Sequence, residues 1–207
     1  MTVAQSLVSF ALAAGVLTIT PGLDTALVIR TSTVEGPRKA VLAMLGINGG
    51  LLVWGAAVAI GLAALLTASE IAFTVLKWVG AGYLVWLGVT LLLRPRQRFD
   101  PSLAMSDHHG ANWFWRGLLN NLLNPKVGVF YVSFLPQFIP TGVPTAPYTF
   151  LLAVIHVVLG LIWLSALILA THPLNRALQR PSVIRALDRL TGIVFVGFGV
   201  KLAVSRR

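Results

Sequence analysis

The sequence predicts an all-α integral membrane protein. Its six transmembrane helices form two inverted three-helix repeats, with helices 1 and 4 broken at Pro21 and Pro125. Three observations carry this reading. Hydrophobic residues make up 57% of the chain and charged residues only 11%, against roughly 25% charged in soluble domains. Apolar runs long enough to span a bilayer recur along the chain, and at ~20 residues per span there is room for about six or seven. Two of these runs are interrupted by a proline set among polar residues. The mean hydropathy of +0.84 agrees.

The first span covers about 3–33 and contains Thr20-Pro21-Gly22-Leu23-Asp24. Pro21 lacks an N–H and clashes with the carbonyl four residues back, so the helix must kink or break. Asp24 is the one acid of six that falls inside an apolar span. A carboxylate at membrane depth costs at least ~2.5 kcal/mol, so it marks a functional site. Residues 1–20 carry no Lys or Arg. A secretory signal needs a basic leader, so the first apolar run is expected to be retained.

Gly36-Pro37 ends span 1, and span 2 follows over about 40–66. Its Gly46, Gly49, Gly50, Gly55 and Gly61 suit close helix packing. Thr67 to Glu70 is a short loop. Span 3 covers about 71–93 and is stopped by Arg94-Pro95-Arg96. Residues 94–112 form a polar loop whose His108-His109 pair has no further ligand nearby. No metal or cofactor is expected.

Span 4, about 113–138, breaks at Asn124-Pro125-Lys126. Residues 139–147, uncharged and proline-rich, read as a tight external loop. Span 5, about 148–171, holds His156 in its first half. Residues 173–189 form an amphipathic basic segment, and span 6 covers about 190–204.

The net charge of +10 is read as loop charge that sets topology and meets anionic lipid, not as a nucleic-acid signal. The loops after spans 1, 3 and 5 are the more basic, with Arg30, Arg38, Lys39, Arg94, Arg176, Arg180, Arg185 and Arg189 among them. The other side has Lys77, Lys201, Arg206 and Arg207. Both termini are therefore expected outside the cytoplasmic (inner) membrane. There are no cysteines, which removes disulfides and thiolate chemistry.

Residues 1–93 and 113–207 look alike, joined by the loop 94–112 within one transporter domain. Each half opens on a proline-broken span. Each middle span holds one strongly polar residue, Asn48 or His156. An odd number of spans inverts the second copy. Matching broken helices in inverted repeats point to a transporter's central binding site. Asp24 follows one break and Lys126 the other. They read as a proton carrier or ammonium site and as a carboxylate site, or as a neutralised pair. Asn120 and Asn124 share a helix face, and Asn124 can cap the second half-helix. Asn48 and His156 line the cavity or bond between helices. His156 is a second candidate proton relay. Thr20 satisfies backbone groups freed by Pro21.

At these residues the chain resembles the lysine exporter family, which includes homoserine and threonine efflux proteins. The likeness runs through Thr20-Pro21-Gly22-Leu23-Asp24, Gly46-Ile47-Asn48-Gly49-Gly50 and Gly80-Ala81-Gly82-Tyr83-Leu84-Val85-Trp86-Leu87-Gly88. It continues in Asn121-Leu122-Leu123-Asn124-Pro125-Lys126 and Leu135-Pro136-Gln137-Phe138. The resemblance implies six spans and proton-driven efflux of amino acids or related small molecules. Its motif falls on Pro21, Gly22, Asp24, Asn124, Pro125 and Lys126. The family often has a second proline where this chain has Leu23, and many relatives carry a histidine near Trp54.

The expected function is thus secondary export of an amino acid or similar solute, coupled to protons, by alternating access. The alternatives are an uncoupled channel or structural subunit and a membrane-embedded hydrolase or transferase. One intramembrane acid and no cysteine disfavour the hydrolase. The expected partners are substrate, protons and lipid, and the glycine faces also suit a homodimer.

Overall fold

A computed structural model describes residues 1–68, 70–95, 112–170 and 180–204. His108-His109, most of the 94–112 loop, the start of the basic segment with Arg176, and Arg206-Arg207 lie outside these residues. The described residues form eight α-helices: α1 (Val3–Ile19), α2 (Leu23–Val34), α3 (Pro37–Ala68), α4 (Glu70–Leu93), α5 (Trp113–Leu122), α6 (Pro125–Val129), α7 (Thr145–Leu169) and α8 (Pro181–Val204). A π turn, Phe130–Phe134, and a 3-10 turn, Leu135–Phe138, continue α6.

Capping chemistry sets the first boundaries. Thr2 and Gln5 form a reciprocal box at the start of α1, side chain to backbone in both directions. The α1 ladder ends where the Thr20 N–H donates to the Val16 carbonyl, because Pro21 has no N–H to give. A new ladder begins with Ala26 N–H to Gly22 O at 2.9 Å. Between the two ladders the chain bends by 51°. Gly36 ends α2 in the left-handed region, at φ +95°, where a side chain is strained. Pro37 opens α3 at the first helical position, where a missing N–H is harmless. Lys39 bridges this turn to Glu35 at 2.7 Å. The hydrogen bond from Lys39 holds the Glu35 carboxyl below its ordinary pKa.

α3 is the central helix. It packs along α5 and α7, while α4 packs along α8. In lipid, close backbone approach replaces the hydrophobic drive to associate. The α3–α5 crossing shows this at Gly46 and Gly117. A Cβ on Gly46 would lie 1.9 Å from the Phe114 carbonyl oxygen, and one on Gly117 would lie 2.0 Å from that of Ala43. Gly50, one turn further on, makes room for Asn121.

Pro37–Gly61 and Thr145–Leu169 are each long and apolar enough to cross a membrane, and the bent α1–α2 pair makes a third span if counted as one. These are the residues of an integral membrane protein. One expectation changes. The basic segment and the last span are not separate, since α8 runs unbroken from Pro181. The polar half of α8 is packed inward at Ile184 and Asp188, both fully buried. Asp188 is therefore a second acid inside the bundle, on a stretch whose Arg180, Arg185 and Arg189 are exposed.

Candidate functional site

The two helix breaks face each other across a small cavity. Thr20, Gly22 and Asp24 line it from the first break, and Asn124 and Lys126 from the second. α7 closes it with His156, Gly160 and Trp163. Its volume of about 50 Å³ is room for one or two waters, at ~30 Å³ each in the liquid.

Asp24 occupies the second position of α2, where unpaired N–H groups and the helix dipole favour a negative group. Its carboxylate accepts three side-chain amides from the other half of the chain. Asn120 Nδ2 lies at 2.7 Å, Asn121 Nδ2 at 2.9 Å and Asn124 Nδ2 at 3.4 Å. These donors suit the four lone-pair sites of an ionised carboxylate. Asn124 also caps α6, its Oδ1 accepting the Lys126 N–H at 3.1 Å, and Pro125 follows at the first helical position.

Lys126 does the converse. Its ammonium donates to the carbonyls of Leu17 and Thr20, each at 2.9 Å, at the C-terminal end of α1. Those carbonyls have no N–H partner in the helix ladder, and a cation there meets the negative end of the dipole. Each break thus supplies the group that the other lacks. Lys126→Met is expected to lower the stability of the solubilised protein by about 2 kcal/mol, the scale of hydrogen bonds to a charged group. Lys126→Arg should restore part of it, and thermal unfolding in detergent checks both.

Thr20 is buried and bonds the Val16 carbonyl at 2.7 Å and the Thr191 hydroxyl of α8. The Val16 carbonyl already accepts the Thr20 N–H, so the carbonyl that Pro21 frees, that of Leu17, is met by Lys126 and not by the Thr20 hydroxyl. His156 is buried between Tyr131, which stacks on it, and Phe130, which meets it edge-on. Asn48 stands behind the cavity wall and donates to Met44 O at 2.8 Å. Asn120 likewise reaches Asp24 without lining the cavity.

Three participants were not singled out from sequence. Asn121 belongs to the asparagine run and was visible as such. Thr191 and Trp163 carry no local signal, and only helix packing brings them in. Trp54 lies on the far side of the second break, on an apolar groove of about 340 Å³ that shares Asn124 with the cavity. Among the described residues no three His, Asp or Glu side chains converge as metal ligands do.

Apolar helices with two facing interruptions and a charged cavity between them define a class first, the membrane translocators. The chain belongs to the LysE type translocator family, which it matches over residues 16–206. Members of this family are transporters and not enzymes, and so is this chain. It is 31% identical over 209 residues to the membrane protein YrhP of Bacillus subtilis, covering 97% of this chain and 100% of that one. It is 30% identical over 198 residues to the homoserine/homoserine lactone efflux protein of Salmonella typhimurium, covering 96% of each. It is 33% identical over 187 residues to the leucine efflux protein of Klebsiella pneumoniae, covering 89% and 88%. No solved structure matches the chain.

Proposed function

We propose that the chain is a secondary exporter of amino acids or closely related zwitterions, driven by protons and working by alternating access. The observation that carries this is the pairing of a carboxylate and an ammonium on one cavity, each contributed by a different half and each at a helix break. A zwitterion offers an ammonium to Asp24 and a carboxylate to Lys126 and the free N–H groups of α2. The relatives named for homoserine and leucine efflux support the substrate class.

The six-span, inverted-repeat organisation belongs to the same proposal. α4 packs on α8 and α3 on α7, the pairs that matching elements of two halves would form. On the positive-inside rule, the basic loops after spans 1, 3 and 5 face the cytoplasm and both termini lie outside the inner membrane. Asp24 is the coupling residue, and binding a proton there releases substrate.

Alternating access needs a gate on each side. Toward the start of α1 the bundle is filled by Phe10, Phe130, Phe134 and Phe138, all buried and in ring contact. Ser6 Oγ donates to the Phe138 carbonyl, and Tyr148 OH bonds Ser6 at 2.7 Å. Phe10 stands ten residues before Thr20, about 15 Å along a helix. This plug is the closed external gate. The π and 3-10 turns beside it are the irregular backbone that functional segments favour.

The chain has no cysteine, so a single Thr18→Cys reports access to the cavity cleanly. An impermeant thiol reagent is expected to label it poorly from outside. Adding Tyr148→Phe and Ser6→Ala should raise that labelling several-fold. Unchanged labelling would dismiss the plug as a gate. Export itself is tested with proteoliposomes holding labelled amino acids under an imposed pH gradient. No gradient-dependent efflux of any of them would end the proposal.

A further inference from the structure

We infer that the α7 wall reads the substrate's side chain. It selects one that is short, uncharged and able both to donate and to accept a hydrogen bond. This rests on the amino-acid export proposed above.

The cavity has two unlike sides. On one, Asp24 and Lys126 already hold the partners described. On the other, His156, Gly160 and Trp163 stand at i, i+4 and i+7 of α7, one face of the helix. Here three buried polar atoms have no hydrogen bond: His156 Nδ1, Trp163 Nε1 and Asn48 Oδ1. Asn48 Oδ1 backs this wall at Gly160, which has no side chain to separate the two. A Cβ there would lie 2.7 Å from Asn48 Oδ1.

Buried polar groups are nearly always paired, so two orphans on one cavity wall, with a third directly behind Gly160, need a reason. A substrate that fills their valences supplies it. Trp163 Nε1–H only donates, Asn48 Oδ1 only accepts, and His156 Nδ1 does either according to tautomer. A hydroxyl or carboxamide answers a donor and an acceptor together. An alkyl side chain leaves both unmet. A side-chain ammonium cannot accept and a carboxylate cannot donate. Leu164 and Leu51 bound the wall with apolar edges and limit length. Sites built around a substrate's hydrogen-bonding group reject analogues that lack it far more strongly than apolar pockets discriminate by size.

The test uses the full-length protein in proteoliposomes, with labelled homoserine, threonine, glutamine, leucine and lysine in separate preparations. Wild type should export its best hydroxyl or carboxamide substrate about tenfold or more faster than leucine or lysine. Trp163→Phe keeps the ring and deletes the donor. It should cut the homoserine-to-leucine ratio about tenfold. His156→Leu should move the ratio in the same direction, which guards against a Trp163→Phe protein that fails to insert. A wild type that prefers leucine or lysine, or two inserted variants with unchanged ratios, overturns the inference and leaves amino-acid export standing. Export of none of the five overturns the function beneath it.

Discussion

Asp24→Asn is expected to abolish proton-driven export while leaving a folded protein in the membrane. The side chains are the same size, so packing is kept. The hydrogen bonds are not. The carboxylate takes amide donors from Asn120, Asn121 and Asn124. An asparagine amide has one oxygen to accept with and brings an NH₂ that needs acceptors of its own. At least one of the three donors is left unmet, at about 1–3 kcal/mol for each buried group. In rate terms that is roughly tenfold to hundredfold. Loss of the proton-binding group adds a qualitative effect. Efflux against a substrate gradient should vanish, whereas exchange of labelled for unlabelled substrate should persist at a reduced rate. Uphill export by the inserted variant at wild-type rate would remove Asp24 from the coupling step. Loss of exchange and export alike would make it a binding residue only.

The second large effect is expected at the α3–α5 crossing. Gly117→Ala puts a methyl 2.0 Å from a backbone oxygen, and Gly46→Ala puts one 1.9 Å from another. Neither neighbour is a flexible side-chain end. The helices must part by roughly 1.5 Å to restore ordinary contact, and overpacking of this kind costs about 1–3 kcal/mol or more. The effect reaches the cavity, since α5 carries Asn120 and Asn121. Their 2.7 and 2.9 Å bonds to Asp24 do not survive such a shift. Both variants should lower the unfolding temperature in detergent and reduce export together. Gly82→Ala and Gly197→Ala are the controls, since a Cβ at either meets nothing within 4 Å. If all four variants behave alike, close packing at this crossing is not what the bundle depends on.

The parts legible in the sequence were those decided locally. A proline inside an apolar helical run removes a ladder hydrogen bond, so breaks at Pro21 and Pro125 were predicted, and both are found. Gly46 and Gly50 were read as a close-packing face, and both lie against α5. Asp24 and Lys126 announced themselves because charge in an apolar run is costly. The rest depended on neighbours distant in sequence. Asn120 and Asn124 were grouped as i and i+4 on one face, but α5 ends at Leu122, and Asn124 reaches Asp24 from beyond the helix. Asn121, visible in the same run but not grouped with that face, makes a shorter bond than Asn124 does. Asp188 falls in the segment read as amphipathic and basic, and only packing shows that its face turns inward. Trp163 and Thr191 have no periodic or compositional mark at all. The π and 3-10 turns at 130–138 coincide with the aromatic cluster of Phe130, Phe134 and Phe138.

The reciprocal capping of the two breaks also bears on biosynthesis. Asp24 and Asn120 are separated by 96 residues. At ~5–20 residues per second, roughly 5–20 s pass between their emergence from the ribosome. For that interval the first half enters the membrane with a carboxylate and the carbonyls of Leu17 and Thr20 still waiting for their partners. The first half is therefore a provisional structure, completed only when the asparagines and Lys126 arrive. A nascent chain halted before Asn120 should be the form that membrane quality control recognises and removes.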